Sequence, residues 1–273
     1  MSSLPMESSK AYSITDFYLS TESYRNQTLA HYPNDLTIES WCYSFTSRSN
    51  LLAILSYHLG LPEKAEMFGR EAIMASHEQL YGNWQERIPS GNYHDEPPSV
   101  EFWRKYNLWE CTVSTGLLWS SALKQWRAMI LFAEYVRDDV CLDPSQSKQE
   151  RAWYIIVSGV CKGRDWKELL PWRTLIESSR QRKHRLLLAC LEAMMVGDPV
   201  KAGNSMEEYI KIFKKTDFKS GDMSKVMSLD GSILLNLAKY KGWELPVSEI
   251  ARPFLIEFSE EQLTRSCSEN SNL

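Results

Sequence analysis

Chemistry that needs paired side chains has few places to reside in this 273-residue chain. The histidines are His31, His58, His77, His94 and His184. No two stand three or four residues apart, the spacing that puts two imidazoles on one helix face for a metal. Lone histidines are ordinarily surface or satisfied core residues. Cys42, Cys111, Cys141, Cys161, Cys190 and Cys267 lie far apart, without a Cys-x-x-Cys pair, so neither a zinc site nor a disulfide scaffold is expected. Cys190 follows the basic residues 182–185 by a turn or two but sits in an apolar helix, where a thiol is inert. There is no Gly-x-Ser-x-Gly elbow, no phosphate-binding Gly-rich loop and no Gly-x-Gly-x-x-Gly. Asp138, Asp139 and Asp143 could hold a divalent cation, but without a companion cluster they read better as a solvated turn. The expectation is a protein with no catalytic residues, no cofactor and no metal.

Binding is the alternative to catalysis, and two features bear on it. Arg180-Gln181-Arg182-Lys183-His184-Arg185 is the sharpest run of charge. It opens a helix, where positive charge opposes the macrodipole. It reads either as a solvated face or as a patch for an anionic partner, with Arg182 and Arg185 as candidate contacts. Trp84 and Tyr93 fall in an irregular, proline-rich segment, 82–98, where an exposed aromatic anchors an interface or folds back as a cover. The whole chain carries 31 basic and 35 acidic residues, a net charge of −4, which argues against nucleic acid as the partner. No apolar run approaches the ~20 residues of a membrane span, and residues 1–10 lack the order of a signal peptide. A reduced, soluble, cytoplasmic protein is expected.

The elements that must position these residues are helices. By count there are 31 Leu against 10 Val, with 12 Gly, and straight side chains favour helix over strand. Apolar spacing and end signals predict about nine or ten helices. One begins near Ile14 and another near Asp35, carrying Phe45, Leu52 and Leu55. A third starts at Pro62 with Ala65, Phe68, Ala72 and Ala75 on one stripe. Ser99 restarts a helix with Phe102, Tyr106, Trp109, Val113 and Leu117 on one face, a second stripe runs through Trp119, Leu123, Trp126, Ile130 and Ala133, and it is left open whether Gly116 splits the two into separate helices. Later helices run through Trp153 to Val160, Leu186 to Val196, Pro199 to Phe213 and Leu229 to Lys241. Pro246 and Pro253 fragment the remainder. The chain reads as one all-α domain over 1–260, with possible sub-halves 1–96 and 97–260, and a polar tail over 261–273.

Gly60-Leu61-Pro62-Glu63-Lys64-Ala65 recurs as Gly197-Asp198-Pro199-Val200-Lys201-Ala202. Glycine ends one helix in a left-handed conformation, proline starts the next, and alanine allows close approach of the two axes. Stacked antiparallel hairpins of this kind make a tetratricopeptide-like architecture. Gly-x-Pro is also a common helix joint, and two copies do not make a regular array.

The stretch from Ser228 to Trp243, SLDGSILLNLAKYKGW, resembles the late helix of the immunity protein 49 family of bacterial polymorphic-toxin systems. Leu245-Pro246-Val247-Ser248 and Pro253-Phe254-Leu255 are similar to that family's closing segment. Trp126 to Asp138 resembles a helix ending in Arg-Asp, and the pair around Gly197-Asp198-Pro199 also fits. The likeness spans most of 40–258, while the 82–98 insertion and the abundance of Trp depart from the family's pattern. The resemblance implies a helical, non-catalytic protein that binds and neutralises a cognate toxin of the same cell. A scaffold holding peptides in a helical groove is the alternative, and an enzyme whose site is assembled from distant residues is a third.

Overall fold

Leu-rich, Val-poor segments punctuated by glycine and proline become helices throughout the chain. The computed structural model describes residues 14–30, 38–81, 108–136, 148–216 and 225–263. Ten α-helices occupy them, and no strand occurs among the described residues: α1 (Ile14–Ala30), α2 (Ile38–His58), α3 (Pro62–Tyr81), α4 (Leu108–Ala122), α5 (Trp126–Tyr135), α6 (Lys148–Lys162), α7 (Leu170–Glu177), α8 (Arg182–Met195), α9 (Pro199–Thr216) and α10 (Leu229–Lys241). The protein is all-α.

The two Gly-x-Pro joints are built alike. Gly60 and Gly197 have φ of +72° and +74°. Gly60 N–H donates to Tyr57 O at 3.1 Å and Leu61 N–H to Ser56 O at 2.9 Å; Gly197 and Asp198 donate to Met194 O at 3.1 Å and Ala193 O at 2.9 Å. This pair of bonds satisfies carbonyls that the helix end would otherwise orphan. Ala65 and Ala202 are fully buried in the first turn beyond each joint. Two antiparallel hairpins result, α2–α3 and α8–α9, and each pair shares an extensive interface. The same cap closes α6 at Gly163, α10 at Gly242 and, unusually, α4 at Lys124, whose φ is +56°. Gly116 therefore does not part the two stripes; the break falls at Lys124, within the second of them. Gly116 lies inside α4, where a β-carbon would stand 2.4 Å from the Phe132 ring of α5, so only glycine fits.

Consecutive helices pack from α1 through α9 in the manner of a stack. In an open solenoid each unit meets only its neighbours. Here α10 returns to lie against both α4 and α8, and it is buried from Asp230 to Ala238. The result is one continuous apolar core, running from Tyr18 of α1 to Phe258 and including Trp119 and Trp153. In α6 every residue from Arg151 to Cys161 is buried, more than the single stripe its spacing predicts.

Beyond α10 the chain crosses the molecule as a strap. Ser228 N–H donates to Phe254 O at 2.7 Å, Ile256 N–H donates to Ser232 Oγ at 2.8 Å, and Asn236 Nδ2 donates to Ile256 O at 2.9 Å. Tyr57 of α2 donates its hydroxyl to Glu257 O at 2.7 Å and accepts from Glu257 N–H at 2.9 Å. Leu255, Ile256 and Phe258 are buried.

Candidate functional site

The basic run at the start of α8 separates into an inner and an outer set. Lys183 points inward, its Nζ 3.7 Å from Asp230 Oδ2 in the first turn of α10. Asp230 is 9 % exposed, and its Oδ1 accepts from the Trp153 indole at 3.1 Å and the Tyr154 hydroxyl at 3.3 Å. His184 is buried in α8. Arg180, Arg182 and Arg185 are exposed. Arg182 Nη2 reaches Glu208 Oε2 of α9 at 3.2 Å. The macrodipole penalty on a cationic first turn is thus offset twice, by Asp230 on the inside and Glu208 on the outside.

Glu208 also lines an open groove of about 320 Å³ on the α8–α9 hairpin. Leu186 of α8 forms one side; Val200, Lys201, Asn204 and Ser205 of α9 form the other, with Asp198 at the joint. Residues 201, 204, 205 and 208 share a helix face by their spacing. Asp198 accepts from Lys201 N–H at 2.9 Å and so caps α9. Val196 and Val200, at 79 % and 71 % exposure, are the most exposed large aliphatic β-branched side chains at this end of the hairpin. The rim carries a further charge ladder in which Lys211 pairs with Glu207 at 2.8 Å and Glu208 at 3.0 Å. The bond from Lys211 holds the Glu207 carboxyl below the usual carboxylate range.

Three side chains with reactive atoms elsewhere, Cys161, Cys190 and Glu71, are committed to structure. Burial pushes the Cys161 and Cys190 thiols up to about 12. Glu71 of α3 accepts from both arms of the Arg25 guanidinium and from Ser49 Oγ at 3.3 Å. Arg25 itself lies between the Phe45 and Phe68 rings, 5.4 and 5.1 Å from their centroids. Among the described residues no three His, Cys, Asp or Glu side chains are grouped to hold a metal ion, and no helix is long and apolar enough to cross a membrane. Trp84, Tyr93 and the 138–143 acidic cluster lie outside the described residues. The groove escaped the sequence reading because its walls come from two helices. The exposed valines flanking Gly197 were its trace in the chain.

No protein-family model, curated protein or solved structure matches the chain. The likeness to the immunity protein 49 family rests on the stretch from Ser228 to Trp243 and the shorter segments that accompany it.

Proposed function

We propose that the protein acts by binding another protein, and that it is an immunity protein that neutralises a cognate bacterial toxin without catalysing a reaction. The observation that carries the reading is the outer face of α8–α9. There a groove runs along the hairpin, with the exposed Val196 and Val200 at its turn, which is capped on both sides, and the exposed Arg182 and Arg185 at the far end, where α8 begins. Exposed aliphatic side chains beside a mixed polar groove with arginines at its edge are a composition found at protein interfaces. The core supports the same reading, because a scaffold fixed by one continuous core loses little conformational entropy on binding. A neutralising complex needs a buried area of about 1,600 Å² or more, larger than the groove alone. The face around it must therefore take part.

Co-expression with the toxin-like product of the neighbouring gene tests the proposal. Protection and co-purification are expected. The double substitution Arg182→Glu, Arg185→Glu should weaken co-purification with an unchanged melting temperature, because both side chains are exposed. No protection and no complex would refute the proposal.

A further inference from the structure

The strap makes the contacts of a bound peptide. Its main chain is read by side chains: Ser232 and Asn236 take the N–H and C=O of Ile256, and Tyr57 takes both groups of Glu257. Ser232 and Asn236 are 0 and 2 % exposed and stand one turn apart on a helix otherwise rich in Leu and Ile. A buried hydroxyl and amide are retained at such positions only when bonded. Their partner is extended backbone, which any sequence could provide.

Side-chain pockets add selectivity. Leu255 lies over Gly231, where a β-carbon would approach its Cδ2 to 2.8 Å. Phe258 meets Tyr57 edge-on with 5.3 Å between ring centroids. Lys239 of α10 pairs with Glu257. Backbone bonds for affinity with pockets for chosen side chains is the logic of extended-peptide recognition. The link from Trp243 to Ile250 contains no helix, and Glu244, Pro246, Glu249 and Ile250 are exposed.

We infer that the groove between α2 and α10 is a peptide-binding site that the chain fills with its own Leu255–Phe258 segment, and that an extended segment of another protein with the order apolar, apolar, acidic, apolar enters in its place. The strap, tethered by a short link, competes at an effective concentration in the millimolar range. It holds the site closed to weak or mismatched peptides. This inference does not depend on the partner being a toxin.

The test uses the full chain with a protease recognition sequence inserted between Glu249 and Ile250. After cleavage, a fluorescent peptide of residues 251–263 should exchange into the folded protein and saturate it. The uncut chain should bind it at least about a hundredfold more weakly. Tyr57→Phe in the host should weaken uptake about tenfold through loss of the two main-chain bonds. Phe258→Ala in the peptide should weaken it at least about tenfold. In the uncut wild type, the amides of Ile256 and Glu257 should exchange hydrogen through an opening that leaves α10 protected. The inference is overturned if the cut chain unfolds as its fragment departs, if the fragment never exchanges, or if a scrambled peptide binds equally. Strap amides as protected as those of α10 would overturn it as well. A dimer formed by strap exchange would reassign the site to a second copy and overturn the foreign partner.

Discussion

At the scale of single residues, two polar groups, one buried and one half-buried, carry more than their area. Asp230 satisfies the Trp153 indole and the Tyr154 hydroxyl while facing Lys183. Asp230→Ala strands two buried donors and a half-buried cation, and the expected loss is about 3 kcal/mol by urea denaturation. Asp230→Asn keeps an acceptor and should lose less. Tyr57 gives a pH-dependent signature. Burial raises its phenol above the ordinary 10.0. Above pH 10 the unfolded chain therefore ionises before the folded one does. The contribution of Tyr57 is fully present below that pH and declines as pH rises toward the raised folded value. Stability measured between about pH 9 and 11 should fall more steeply in the wild type than in Tyr57→Phe, which starts lower by about 1 kcal/mol. Equal slopes would mean that the phenol is no more buried folded than unfolded.

At the scale of elements, the turn after α4 is the weak cap. Lys124 takes the left-handed conformation that glycine holds at Gly60, Gly163, Gly197 and Gly242. A residue with a β-carbon costs about 1–2 kcal/mol there. Lys124→Gly should therefore stabilise by about 1 kcal/mol, even though it removes an ion pair to the exposed Glu260, because such surface pairs contribute little. Gly60→Ala and Gly197→Ala should each cost about 1 kcal/mol from backbone strain alone, since nothing lies within 4 Å of the added carbon. Thermal melts should separate the two signs by a few degrees. The contrast also shows what local sequence can reveal. The bounds of α10, Leu229 to Lys241, were legible in the sequence, where Gly242 is the stop that physics favours; at its start Ser228 Oγ accepts from Gly231 N–H at 3.2 Å. The end of α4 was not, because lysine gives no such sign. The strap was illegible for another reason. Leu255, Ile256 and Phe258 have neither helical nor strand period, and the groups that bind them lie 20 to 200 residues away. Of the candidate site, the charged run was visible but its division was not, since Asp230 and Glu208 are distant in sequence.

At the scale of the molecule, the question is whether the helices before and after the 82–98 segment unfold together. Three features tie them: α2 and α3 pack on α4, the strap is bonded to Tyr57 of α2, and the apolar core is continuous across both. Against them stands the strength of local joints within each part, such as the Arg25 bridge from α1 to Glu71 of α3 inside a cage of two phenylalanines. Burial decides between these. Phe258 is 1 % exposed, and truncating a buried phenylalanine costs about 3–5 kcal/mol, at least as much as the loss of a single polar joint. Phe258→Ala should therefore lower the unfolding midpoint of α2–α3 peptides as much as that of α8–α9 peptides when hydrogen exchange is followed through a denaturant series. Arg25→Ala, made in α1, should lower both by an equal amount. If each substitution moved only the midpoint of its own part, the two parts would be separate cooperative units, and the strap would be a tether between them without being a shared element of one core.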